Sequence, residues 1–250
     1  MPLRVFKSQR LYCNVAMKEV GKHIYCTPAQ ANYILHSLRL RSGDTILTFN
    51  GYDGEWCARL NLQSKKKCSL ELLTQVRRQT IGPDIQYLFA PLKRERLDYM
   101  VQKATELGVA SINPIYTKHT VANRVNLDRI RINTVKAAEQ CGILHIPDIR
   151  TPERLVNCLK SWDPERNIIF ANENANSTSP IKILEKVGRG KIAVLIGPEG
   201  GFSDSERKYL LNQPFVKSIS LGPRIMRADT AAIAVLTLVN AVLGDWQAYS

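Results

Sequence analysis

Apolar and polar residues follow two different rhythms along this chain. Up to residue 76 the apolar positions alternate in short runs, as in "DTILTFN" and "GEWCARLNL", which is the period of half-buried strands. "GYDG" at 51–54 puts glycines where a hairpin turn needs positive φ. "TPAQANYILHSLRL" opens on Thr27, an N-cap type, with Pro28 at the first helical position, and predicts a helix. Residues 1–76 therefore read as a small β-rich module, most economically a barrel. "RRQTIGPD" at 77–84 has no periodicity and a Gly-Pro break, so it is the expected linker.

Beyond the linker the strands become continuously apolar and alternate with helices. "IQYLFAP", "VASINPIYT", "NIIFAN", "KIAVLI" and "FVKSISL" predict strands, several of them buried on both faces. "ERLDYMVQKATELG" sets Leu97, Met100, Val101, Ala104 and Leu107 on one helical face and ends at Gly108. "LDRIRINTVKAAEQCG" reads as a helix stopped by Gly142, and Thr151 with Pro152 is the expected start of another. "AAIAVLTLVNAVL" is apolar on nearly every side and predicts a largely buried helix. Residues 77–250 thus form an α/β domain with a mainly parallel sheet.

Composition narrows the possible functions. The chain of 250 residues has no apolar run long enough for a membrane helix, and its N-terminal residues lack the apolar stretch of a signal peptide, so a cytoplasmic, membrane-free protein is expected. The six cysteines form no C-x-x-C pair, which predicts free thiols and no metal site. The net charge of +13 favours a polyanionic partner. Residues 1–79 hold 13 Lys and Arg against 5 Asp and Glu, so the basic excess is concentrated in the first third.

Two stretches carry candidate chemistry. "LIGPEGGFSDSE" and "LGPRIMRADTA" each end a strand on Gly-Pro. Ligands bind at the carboxyl ends of strands in open α/β sheets, which is where both loops are expected, sharing one pocket. Gly197, Gly200 and Gly201 let backbone approach a ligand, and Ser203 with Glu206 forms a capping box that starts a helix. Arg224 and Arg227 could grip a phosphate or a base, while Asp229 and Thr230 cap the last helix. The motifs of P-loop, dinucleotide-binding, hydrolase, zinc-protease and kinase sites are absent. The four histidines are scattered and read as surface or structural residues.

These two loops resemble the signature loops of the SPOUT-class RNA methyltransferases, most closely the family that methylates N3 of a uridine in bacterial 16S ribosomal RNA. "HSLRLRSGD", "QKATELGVASINPIYTKHT" and "AAEQCGILHIPDI" extend the resemblance in order over nearly the whole chain. It implies an N-terminal PUA-like β-barrel over 1–76 and a C-terminal α/β SPOUT domain over 77–250 with a trefoil knot. It also implies a homodimer whose partner is 16S ribosomal RNA or the small ribosomal subunit. S-adenosylmethionine is the implied cofactor, held by Ile196, Gly197, Pro198, Glu199, Gly200 and Gly201 and by Leu221, Gly222, Pro223, Arg224, Ile225 and Met226. "NENA" at 172–175 matches a third cofactor wall loosely.

Arg227, Asp229 and Thr230 are the implied catalytic residues, in a segment where the family usually reads Arg-Thr-Glu-Thr and this chain reads Arg-Ala-Asp-Thr. Arg227 is expected to stabilise charge on the uridine, and Asp229 is the leading candidate for a general base. Arg4, Lys7, Arg10, Arg39 and Arg41 are the RNA-binding candidates. The shortened acid at 229 leaves one alternative, a catalytically silent RNA-binding or ribosome-assembly factor on the same fold.

Overall fold

The computed structural model describes residues 9–64, 66–122, 124–175 and 179–246. The RNA-binding candidates Arg4 and Lys7 lie outside the described residues. The chain divides into two compact units, Met1–Ile81 with Val135–Ile146, and Gly82–Thr134 with Pro147–Ser250.

The first unit contains β1 (Arg10–Tyr12), β2 (His23–Tyr25), α1 (Pro28–Asn32), β3 (Thr45–Phe49), β4 (Glu55–Ser64) and β5 (Lys67–Arg77). Its mixed sheet runs β1-β3-β4-β5-β2, parallel only between β1 and β3. The alternation seen in the sequence is the reason: Trp56, Ala58 and Leu60 point into a core with Leu11, Ile24, Ile34, Leu70 and Leu72, while Arg59 faces out. Thr27 caps α1 through a capping box with Gln30. The helix expected over this stretch is shorter than its pattern suggests. α1 gives way to a π-helical turn over Tyr33–Ser37, which keeps Ile34 buried with Tyr33 and His36 outside, and the chain leaves it through Arg39 at φ 56°.

β5 runs through Arg77, so strand pairing continues into the stretch expected to be linker. The cause is Glu55, whose carboxylate is buried at 2% exposure. It accepts from Arg10 Nε at 2.9 Å and from Arg77 Nε at 2.7 Å, and Arg77 Nη2 also reaches the Gly142 carbonyl at 2.9 Å. Arg10 is therefore corrected from RNA-binding candidate to structural residue, because its guanidinium is held inside the unit. Removing one partner of a buried ion pair strands the other charges. Glu55→Ala is expected to destabilise this unit by about 3–5 kcal/mol, read as a lowered denaturant midpoint; an unchanged midpoint would show that the two arginines find other partners.

The second unit contains β6 (Ile85–Phe89), α2 (Arg94–Glu106), β7 (Ser111–Tyr116), α3 (Leu127–Cys141), β8 (Asp148–Ile149), β9 (Glu153–Arg154), α4 (Leu155–Lys160), β10 (Asn167–Ala171), α5 (Pro180–Val187), β11 (Ile192–Ile196), α6 (Asp204–Leu211), β12 (Val216–Ile219) and α7 (Ala228–Val242). The last turns of α3 fall in the segment assigned to the first unit, where Glu139 accepts the Tyr12 N–H at 2.8 Å. The strand order is β12-β10-β11-β6-β7-β8, with β9 on β7, and every pairing is parallel.

β11 shows why its sequence is apolar throughout. Ile192, Val194 and Ile196 enter the core under α2 and α7, and Ala193 and Leu195 enter the core on the opposite face. Thr151 and Pro152 do not start a helix as expected. Glu153 and Arg154 pair with Ile115 and Tyr116 instead, and α4 begins at Leu155 with Arg154 as its N-cap. Gly108 and Gly142 terminate their helices at φ 74° and 65°. Cys13, Cys26, Cys57, Cys68 and Cys158 are free thiols. No helix among the described residues is long and apolar enough to cross a membrane.

Candidate functional site

β12, β10 and β11 are neighbours in the sheet, so the chain segments leaving their carboxyl ends converge. They enclose a cavity of about 510 Å³. Its walls are Phe170 to Glu173 at the end of β10, Ile196 to Glu199 with Gly201 and Phe202 at the end of β11 and beyond it, and Ser220 to Arg227 after β12. Arg96 of α2, Arg207 of α6, and Ala228 and Ala231 of α7 complete the lining. Both Gly-Pro loops thus meet in one cavity, as their sequences suggested. Gly200, Asp229 and Thr230 do not line it.

The first loop is tightly built. A Cβ on Gly197 would stand 2.5 Å from Phe202 Cε2, so only glycine lets the Phe202 ring close over the loop. Phe202 in turn packs edge-on against Phe170, with ring centroids 5.2 Å apart. Gly201 sits at φ 69° and turns the chain back, its N–H donating to the Pro198 carbonyl at 2.9 Å. Ser203 then caps α6 through the expected box with Glu206. Glu206 also reaches across to the turn after β7, where its Oε1 accepts the Lys118 N–H at 2.8 Å. His119 Nδ1 lies 3.2 and 3.1 Å from the Gly200 and Gly201 carbonyls. That turn is therefore clamped to the outside of the first loop. The scattered histidines gave no sign of this, because the contact joins residues 81 and 82 positions apart.

Charge in the cavity is largely paired. Arg96 binds Glu199, Arg207 Nη2 approaches Glu173 Oε1 at 3.4 Å, and Arg227 Nη2 approaches Asp229 Oδ2 at 3.1 Å. Arg96, Glu173 and Arg207 add to the named candidates; "NENA" pointed to Glu173, whereas Arg96 and Arg207 sat in ordinary helical patterns. The start of α7 also differs from expectation. Arg227 is its N-cap residue without a side-chain cap, and Asp229 lies inside the first turn, where its Oδ1 accepts the Thr230 N–H at 3.1 Å. The Asp229 carboxylate is only 15% exposed and adds to the burial that pushes the Tyr87 phenol well above its usual value. Asp229 therefore looks toward the helix start and the core, with Arg227 between it and solvent.

A second cavity, of about 540 Å³, lies toward the amino ends of the strands and includes Gln86, Asn113, Arg150 and Arg166. Arg166 is committed there to Asp84 at 2.8 Å, and Asp163 to Lys191 at 2.9 Å. The strand-end cavity, with its glycine-lined wall, is the better site. No group of three or more His, Cys, Asp or Glu among the described residues could hold a metal ion.

A backbone-walled cavity at the strand ends of a parallel sheet marks the class of α/β proteins that bind a small molecule there. Residues 80–240 match the family model of the RNA methyltransferase domain. Over 235 residues the chain is 31% identical to the ribosomal RNA small subunit methyltransferase E of Rickettsia conorii, spanning 94% of this chain and 96% of that protein. The chain belongs to this RNA methyltransferase family. A methyltransferase from Legionella pneumophila, solved with bound SAM, is 27% identical with a TM-score of 0.84 over 96% of this chain and 99% of that one. The small subunit methyltransferase E of Neisseria gonorrhoeae, at 24% identity, shares the fold with the same TM-score over 96% of this chain and 99% of that one.

Proposed function

We propose that this protein methylates N3 of a uridine in 16S ribosomal RNA of the small subunit, using S-adenosylmethionine. The observation that carries the proposal is the single cavity closed by both Gly-Pro loops, in a chain related over its length to small subunit methyltransferases E. The lining suits the cofactor. Phe170, Ile196, Leu221 and Met226 offer apolar surface, and Gly201 brings loop backbone to the cavity wall. S-adenosylmethionine would supply an electrophilic methyl group on a sulfonium sulfur.

The chain's own residues must make the acceptor reactive, since uridine N3 is a poor nucleophile while it holds its proton. Arg227 is the residue for it: its guanidinium, 60% exposed at the cavity, offers planar donors to the anion that forms as the proton leaves. Asp229 is better read as a positioning residue than as the base, because its oxygens hold Arg227 and the Thr230 N–H. We further read the first unit as a PUA-like barrel and the second as a SPOUT domain with a trefoil knot. The mixed sheet of the first unit and the all-parallel strand order of the second support the two-domain part of that reading. For a homodimer, the support is that Ile233 and Ala234 stay only partly covered on α7.

The test is incubation with labelled S-adenosylmethionine and unmodified small subunits or their RNA, followed by nucleoside analysis. The expected product is 3-methyluridine at one position. Cofactor binding without methyl transfer to either substrate would favour the silent RNA-binding factor.

Arg39 and Arg41 are the remaining described RNA candidates, and both are exposed. Deleting residues 1–76 is a poor test of them, since Val135–Ile146 belongs to the same unit. Arg39→Ala with Arg41→Ala is expected to weaken RNA binding and flatten the log–log salt dependence by about 1 for each phosphate no longer held. An unchanged slope would remove these residues from the RNA surface.

A further inference from the structure

The loop after β12 carries three apolar side chains, and they are not treated alike. Leu221 and Met226 are partly buried in the cavity wall. Ile225 is 98% exposed. Ile81 is as exposed, but it does not line this cavity, whereas Ile225 does. Beside it stands Arg224, also exposed and also at the cavity. Arg96, Arg207 and Arg227 each have a carboxylate partner, but among the described residues Arg224 has none. The loop tip thus shows solvent a bare apolar wedge and an uncommitted cation, next to each other and at the mouth of the site.

That pairing fits a specific need of the proposed reaction. N3 lies on the Watson–Crick edge of uracil, so the base must leave its stack before the edge can enter the cavity. Proteins that open nucleic acid stacks commonly insert an apolar side chain between bases, and Ile is among the residues used. Arginine grips the adjacent phosphate with its planar fork. Pro223 restricts the backbone immediately before the pair, which limits the entropy lost when the tip engages.

We propose that Ile225 is the wedge that unstacks the target uridine and that Arg224 holds the neighbouring phosphate while it does so. The proposal rests on the RNA methyltransferase reading of the cavity. It differs from the cofactor role that family resemblance implies for these two side chains, in that the backbone of the loop walls the cavity while the side chains face RNA.

The test uses the full-length protein, labelled S-adenosylmethionine and two small-subunit RNAs under single-turnover conditions. One RNA keeps the unmodified target uridine in its natural stack. The other has abasic residues on both sides of that uridine, so nothing remains to unstack. Ile225→Ala is expected to slow methylation of the stacked RNA by about ten- to a hundredfold and to recover most of that loss on the abasic RNA. Ile225→Leu should keep most of the rate on both. Arg224→Ala should raise the RNA concentration that gives half the maximal single-turnover rate and lower the salt slope of binding by about 1, with a smaller effect on the maximal rate.

Equal losses for Ile225→Ala on both RNAs, with weakened S-adenosylmethionine binding by calorimetry, would overturn the proposal and return the side chain to the cofactor. A change of oligomeric state in Ile225→Ala would likewise overturn it and assign the wedge to a second copy. Wild-type protein that methylates neither RNA would refute the functional reading itself, an outcome distinct from either of these.

Discussion

Gly197→Ala is expected to lower S-adenosylmethionine affinity by about ten- to a hundredfold while the protein still folds. The new methyl carbon would lie 2.5 Å from Phe202 Cε2 and 2.9 Å from Cδ2, which no native contact tolerates. Phe202 has nowhere to retreat, since it is 7% exposed and packed edge-on against Phe170. The chain is also fixed just beyond it, where Ser203 and Glu206 cap α6 and Glu206 binds Lys118. The strain therefore falls on Gly197 to Gly201, the wall of the cavity. Overpacking of this kind costs about 1–3 kcal/mol, and about 1.4 kcal/mol is a tenfold change in affinity. Calorimetric titration measures the affinity, and thermal unfolding of the same sample measures what the fold loses. Phe202→Leu added to Gly197→Ala should restore part of the binding, because the two substitutions share one contact and cannot be additive. If Gly197→Ala bound the cofactor as the wild type does, the first Gly-Pro loop would not be its wall.

That prediction uses a contact between residues five positions apart, and such local features were the ones legible in the sequence. The capping boxes at Thr27 and Ser203, the glycine stops at 108 and 142, and the doubly buried strand "KIAVLI" all follow from residue types at fixed spacing. The convergence of the two Gly-Pro loops was also legible, because both end parallel strands. What escaped depends on distant partners. Arg10 looked like one more surface cation until Glu55, 45 positions away, proved to be buried beneath it. The stretch after Pro152 carried helix signals, yet its backbone pairs with β7 because the sheet offers it free partners there. Val135–Ile146 gave no sign of belonging with the first unit, since helical periodicity runs through α3 without a break. The cavity's Arg–Glu pairs were equally hidden, with Arg96 and Glu199 103 positions apart.

Arg227→Ala is expected to reduce the rate of methyl transfer by about a hundred- to a thousandfold, the usual cost of removing one charge-stabilising group, with S-adenosylmethionine affinity nearly unchanged. The reason is where the guanidinium stands. It is the cavity-lining member of a pair whose acid, Asp229, is turned toward the helix start and only 15% exposed. In the proposed role, substitution takes a cation from beside the ionising N3, and it leaves the glycine-lined wall intact. Arg227→Lys should recover part of the loss, since it keeps the charge but not the fork. Asp229→Asn should cost less than Arg227→Ala, because it loosens the guanidinium without removing it.

The pH dependence separates this role from a structural one. A cation beside N3 favours the deprotonated base, so its loss must raise the pH at which the base ionises. The rate of Arg227→Ala should climb further into the alkaline range than the wild-type rate, narrowing the gap between them. A gap of constant size across the pH range would mean that Arg227 positions the nucleotide without stabilising its charge. A gap that vanished at neutral pH would remove Arg227 from the reaction altogether.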